Sequence, residues 1–227
     1  MNSTRLNVFN QIHKGLRALL FDTAILMQQT DFGNSQQAEP VLAQTELLLS
    51  MFDAHAQHED SCILECAHQH NPGLIGEFES EHQTDLVLSS QLAALIDRYR
   101  AAGNEDQRYA VGTALLHALF DFIAFNLKHM SKEEKELNMV LWDNYNDREI
   151  MQMEHRIQQL IPPDKLFIYF KWMIRGLNNI EVVQWLIAVK NGAPEVVFNG
   201  LLEECRVNLP AERWRLIQSL LSEGSLR

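Results

Sequence analysis

A chain of 227 residues, 46% hydrophobic and 22% charged, is long enough for one large domain or a domain with an appendage. Its formal net charge of −11 argues against a nucleic-acid backbone or an anionic membrane as partner, and no uninterrupted apolar run approaches the ~18 residues of a membrane span. The first residues do not read as a secretory signal and three cysteines make no disulfide framework, so a cytoplasmic protein is expected.

With 10 glycines and 6 prolines, most of them between periodic segments, the chain favours long helices. In the first segment, about Arg5 to Gln29, Phe9, His13, Leu16, Leu20, Ala24 and Met27 recur at steps of three and four. This is the pattern of an amphipathic helix, with His13 on the apolar stripe. A turn-rich break follows at Thr30–Ser35. The second segment is expected to begin near Glu39-Pro40, with Thr45, Leu48, Phe52, His55, Glu59, Cys62 and Cys66 on one stripe, and to stop at Asn71-Pro72-Gly73. The third places Ile75, Phe78, His82, Leu86, Ser89, Leu92 and Ile96 on one face and ends at Ala101–Asn104. The fourth starts around Asp106 and runs to about Asp143 or Asn146. Its stripe is Val111, Leu115, Ala118, Phe122, Phe125, His129, Glu133, Leu137 and Val140.

Four long amphipathic segments with short connections imply an all-α fold, an antiparallel up-down-up-down four-helix bundle over residues 1–146. Residues 147–227 read as a C-terminal helical extension, cut into shorter helices by Pro162-Pro163, Gly192 with Pro194, and Pro210. Its last apolar run, Trp214, Ile217, Leu220 and Leu221, is closed by Gly224. The extension carries no ligand or nucleophile constellation. It is expected to pack on the bundle or on a protein partner, including a second copy of the chain.

The chemistry lies in two pairs, His55 with Glu59 and His129 with Glu133, each a histidine four residues before a glutamate. On a helix such residues share a face, so each pair aims an imidazole and a carboxylate at one point. His13 and His82 sit on the inward stripes of the other two helices. At about 1.5 Å per residue, all four histidines fall in the same half of an antiparallel bundle. Four imidazoles and two carboxylates without a thiolate suit iron or manganese. The two carboxylates, on facing helices, bridge two ions, and each ion takes two histidines. One histidine on an apolar stripe is ordinarily a hydrogen-bonded core residue. Burying six such groups together without a metal costs roughly several kcal/mol for each unpaired one.

The order His13, His55-x-x-x-Glu59, His82, His129-x-x-x-Glu133 on four successive helices resembles the hemerythrin-like (HHE) family, over about residues 5–146. The resemblance implies a non-haem di-iron centre with an oxo or hydroxo bridge, mixed manganese–iron occupancy as an alternative, and O2, NO or peroxide as the exogenous ligand. Oxygen-carrying members have a fifth histidine four residues from the one on the third helix. Here those positions are Phe78 and Leu86, which sets this chain apart from reversible O2 carriage. The four-histidine, two-glutamate set is similar instead to bacterial proteins for repair of iron centres in oxidative and nitrosative stress. Their extra N-terminal domain with its cysteine pair is not in this sequence, so their function is not expected to transfer whole. An enzyme that activates O2 or decomposes peroxide or NO, or an oxygen or redox sensor, is the alternative.

A rival ferritin-like pattern, Glu65-x-x-His68 with Glu79-x-x-His82, lies on consecutive helices and has no inward glutamate on the first segment. Cys62 and Cys66 read first as small apolar residues and second as a redox pair. His68 and His70 read as exposed. Phe52, Phe78, Phe122 and Phe125 read as core that keeps the centre dry.

Overall fold

The computed structural model describes residues 5–222, and among them every regular element is a helix. Helix α1 is Asn10–Gln29. Helix α2 begins at Ser35, because the Asn34 side chain accepts hydrogen bonds from the N–H groups of Gln36 (3.0 Å) and Gln37 (3.3 Å). This cap moves the start ahead of the expected Glu39-Pro40. Pro40 therefore lies inside the helix, where its missing N–H removes one ladder bond. α2 continues to Glu59, passes through a π-helical turn at Asp60–Leu64, and ends with Glu65–Ala67. Helix α3, Pro72–Arg100, starts at the expected breaker. Asn71 accepts a hydrogen bond from Leu74 N–H (3.2 Å), and Pro72 occupies the first turn, where no N–H is needed. Helix α4 is capped by Asn104 through Gln107 N–H (2.9 Å). It runs over Glu105–Lys132, a second π-helical turn at Glu133–Leu137, and Asn138–Asn144.

By contacts the chain divides into two units. Residues up to Asn10 and Leu19–Leu160 form one; Gln11–Ala18 and residues from Ile161 onward form the other. In the first unit, Phe9, Cys62, Ile63, Leu64, Phe78, Leu137 and Leu141 make one end of the core with Ile150 and Met153 of helix α5, Asp147–Leu160. Arg5 closes this end by donating to Asp147 Oδ1 (2.6 Å) and to the Trp142 carbonyl (2.9 Å). Elsewhere in the unit, Phe32 packs edge-on against Tyr99, whose hydroxyl donates to the Phe32 carbonyl (2.6 Å). α4 passes so close to Phe32 that a Cβ on Gly112 would stand 2.1 Å from the ring.

In the second unit, helices α6 (Pro163–Gly176), α7 (Asn179–Gly192), α8 (Glu195–Asn208) and α9 (Ala211–Ser222) enclose Ile174, Val182, Val183, Leu186, Leu201, Cys205 and Ile217. The prolines read from the sequence stand at the starts of α6, α8 and α9. A capping box between Asn178 and Glu181 opens α7. From α5 onward the helices begin sixteen residues apart, at Asp147, Pro163, Asn179, Glu195 and Ala211, a regularity that the apolar pattern alone does not reveal. The expected close at Gly224 lies outside the described residues.

The stretch Glu105–Asn144 is long enough, and in one 18-residue window apolar enough (mean hydropathy 1.6), to meet the length and composition of a membrane span. Polar and charged residues such as Asp121, Asn126 and Lys128 interrupt its apolar residues, so it contains no long unbroken apolar run. Of that window 39% is buried inside the protein, and the same helix carries the buried polar residues Asn126, His129 and Glu133.

Candidate metal centre

All six predicted donors are buried: His13, His55, Glu59, His82, His129 and Glu133 are each at most 9% exposed. They form two overlapping quartets. One donor atom from each of Glu59, His82, His129 and Glu133 lies within 4.8 Å of the others, and the same holds for His13, His55, Glu59 and Glu133. Both glutamates belong to both quartets. Within the helices, His55 Nε2 lies 3.2 Å from Glu59 Oε1, and His129 Nε2 lies 3.1 Å from Glu133 Oε1. His82 Nε2 lies between the two carboxylates, 3.6 Å from Glu59 Oε2 and 3.8 Å from Glu133 Oε1.

An outer ring of carboxylates holds two of the imidazoles. His82 Nδ1 is 2.7 Å from Asp60 Oδ1, and His129 Nδ1 is 2.7 Å from Glu81 Oε2. A carboxylate oxygen can only accept, so each ring carries its proton on Nδ1 and turns Nε2 inward. Lys132 in turn donates to Glu81 Oε1 (2.8 Å) and Glu77 Oε2 (2.9 Å). Burial alone would lower the pKa of His82. The carboxylates of Asp60, Glu133 and Glu59 outweigh it and push the value up to about 12. His129 follows the same balance: burial opposes its charge, while Glu133 and Glu81 raise its pKa overall. Burial works against the Glu81 charge, but Lys132 and His129 hold its carboxyl below the usual range.

The profile of the hemerythrin HHE cation-binding domain matches residues 4–141, well over half of the chain. The chain belongs to the hemerythrin HHE family. No curated protein and no solved structure matches it.

The HHE signature and the His/Glu clusters mark a metal-binding protein, and the local chemistry agrees. His82 Nε2 is a buried ring nitrogen without a hydrogen bond, facing two carboxylates. With Nδ1 held by Asp60, Nε2 is the His82 atom turned toward the two carboxylates, which favour positive charge there, a proton on the ring or a cation between them. Two carboxylates common to two quartets, with two imidazoles in each, fit a binuclear metal site of this HHE domain. The rival ferritin-like pattern is not assembled, since Glu65, His68 and Glu79 are exposed.

Aromatic rings close around His129. Phe125 stacks on it at 5.9 Å, and Phe78 meets it edge-on at 5.8 Å. The two apolar positions flanking His82 differ: Phe78 is fully buried, whereas Leu86 is 49% exposed and does not face the site. The stripe of α3 instead buries Asp85, at 5% exposure. Asp60, Glu81, Asp85 and Asn126 were all missed in the sequence. Asp60 and Glu81 sit beside ligand-type residues, Asp60 after Glu59 and Glu81 before His82, which is the only signal that could have found them. The register of α4 also shifts after Glu133. Asn138 and Leu141 are fully buried, while the expected Val140 is only half-buried. The π-helical turn at Glu133–Leu137 adds a residue to one turn and so rotates the remainder of the helix. Both such turns begin at or just after a site glutamate, Glu59 or Glu133. Cys62 is buried, but Cys66 is half-buried and takes a hydrogen bond from Arg156 Nη2 (3.2 Å), so it is more than an apolar filler. His68 and His70 are exposed.

Proposed function

We propose that this HHE protein holds two iron ions through His13, His55, Glu59, His82, His129 and Glu133, joined by an oxo or hydroxo bridge. A mixed manganese–iron pair is the alternative. In this reading the centre binds O2, NO or peroxide, or handles iron, in the response to oxidative and nitrosative stress. The observation that carries the proposal is that Glu59 and Glu133 each belong to both donor quartets. When bound, such a metal pair supplies Lewis acidity and one-electron chemistry to a small oxygen or nitrogen ligand.

The chain's own residues do the rest. Asp60 and Glu81 hold the rings of His82 and His129. Phe78 and Phe125 keep water from His129. Phe78 also fills the one flanking position that faces the site. This supports a stress or iron-handling role, as in proteins for repair of iron centres, over reversible O2 carriage. A second reading, an enzyme that turns over peroxide, NO or O2, draws support from a cavity of about 10 Å³ lined by His55, Glu59, His82 and His129, room for about one water-sized molecule. Cysteine usage supports the cytoplasm as the compartment, and α6–α9 serve as the packing or partner surface.

The test is metal analysis of anaerobically purified protein, with optical spectra before and after O2, NO and peroxide. Two iron ions per chain and a spectrum altered by NO or peroxide are expected. A chain that takes up fewer than two metals sinks the dinuclear reading. A stable, reversible O2 adduct favours a carrier, and turnover of peroxide or NO favours an enzyme.

A further inference from the structure

Asp85 follows His82 by three residues on α3, and Asn126 precedes His129 by three on α4. Two buried polar residues thus sit one turn along from two of the imidazoles, at 5% and 2% exposure. Asn126 Nδ2 donates to Asp85 Oδ1 (2.6 Å) and to the Phe122 carbonyl (3.1 Å). Those two bonds use both N–H groups of the amide. Among the described residues no hydrogen bond reaches Asp85 Oδ2 or Asn126 Oδ1. Both residues line the small cavity together with His55, His82 and His129. Asp85 Oδ1 accepts that bond, and an ionised carboxylate has only acceptor oxygens. The hydrogen-bonding capacity left over in this pair is therefore acceptor capacity.

The geometry points to Asp85 and Asn126 as the ligand-selecting wall of the metal cage: they accept hydrogen bonds from a small ligand that carries its own hydrogen, with hydrogen peroxide as the type, and disfavour NO and O2. The inference rests on the reading that the six donors hold metal. A peroxide O–H replaces the hydrogen bonds that a water in the cavity would give to these oxygens. NO and O2 have no hydrogen to offer, so displacing that water leaves an acceptor of this largely buried pair without a hydrogen bond. Phe52, on another wall of the same cavity, offers no polar alternative. Burial pushes the Asp85 carboxyl up, and a protonated Asp85 would donate rather than accept. Asp85→Asn keeps the shape and turns N–H donors toward the cavity, so it separates the two cases.

The experiment uses the full-length, metal-loaded chain, with metal content and melting temperature measured first. Optical titration gives the affinity for azide and for NO, neither of which carries a hydrogen. Stopped-flow mixing gives the second-order rate of peroxide association. Asp85→Asn is expected to keep both metals, slow peroxide association by about tenfold or more, and tighten azide binding. Asp85→Leu, which has no polar atom, is expected to slow peroxide similarly without weakening azide or NO. Peroxide association within about twofold of wild type in a metal-replete Asp85→Asn chain overturns the proposal. An equal loss for peroxide, azide and NO also overturns it, and so does a loss of metal, which would make Asp85 a ligand. A wild-type chain that takes up no metal overturns the underlying reading instead.

Discussion

Replacing Asp60 with alanine tests how the outer carboxylates act on the two metal positions. Asp60 holds His82 and Glu81 holds His129, each at 2.7 Å. Both histidines belong to one quartet, whereas His13 and His55 belong to the other. Removing an outer partner of this kind lowers metal affinity by roughly ten- to a hundredfold, or about 1.4 to 2.7 kcal/mol. The Asp60 side chain is 47% exposed, so water replaces much of the lost bond and Asp60→Ala falls near the lower figure. Glu81 is 28% exposed and also takes a hydrogen bond from Lys132, so Glu81→Ala falls nearer the upper one. The assay is anaerobic competition for Fe²⁺ or Mn²⁺ against a chelator, which resolves a tight and a weak step. Each variant should shift one step strongly. The other should move less, carried only by the glutamates shared between the quartets. The double variant should shift the same step further. Equal displacement of both steps, or of neither, would refute the division of ligands between the two positions.

Glu59→Ala and Glu133→Ala should each lower the content of both metals, while Cys62→Ala leaves it near wild type; equal metal content in all three and in wild type would refute the ligand assignment. Gly112→Ala should cost about 1–3 kcal/mol, because the new methyl group falls on the Phe32 ring. Thermal melting reads that loss, and an unchanged midpoint would mean that α4 can step back from Phe32. Burial, with a smaller push from Glu204, raises the Cys205 thiol to about 12. Since the folded pKa lies above the ordinary value near 9, this thiol's contribution is intact below pH 9 and is lost as pH rises toward 12, by about 1.4 kcal/mol per unit. Urea unfolding of wild type and Cys205→Val at pH 8 and pH 10.5 isolates it. If the difference between the two proteins does not change with pH, the cause given for the shift is wrong.

The four long helices, and the six His and Glu side chains that the structure buries and clusters, were readable in advance because their signals are local. Asn71-Pro72-Gly73 stops one helix and starts the next by its own backbone chemistry. His55 with Glu59, and His129 with Glu133, share a helix face wherever the helix goes. Sequence reasoning failed where two neighbouring residues compete for one face. Asp85 and Leu86, three and four residues after His82, both fall near the inward stripe, and hydrophobicity alone selects Leu86. The structure selects Asp85, because Asn126 stands across from it to share its charge. Val140 lost its place to Leu141 for a different reason. The π-helical turn at Glu133–Leu137 rotates the rest of α4 by one residue, and no spacing in the sequence announces it.

The sequence by itself thus determined the helix breaks, the ligand-type residues and their i, i+4 pairing, all properties of segments a few residues long. Tertiary structure decided what surrounds those donors. Asp60 reaches His82 across 22 positions, Asn126 reaches Asp85 across 41, and Glu81 reaches His129 across 48. Such partners are chosen by the packing of one helix on another, where a single residue of register turns a side chain by about 100° and exchanges an exposed leucine for a buried aspartate.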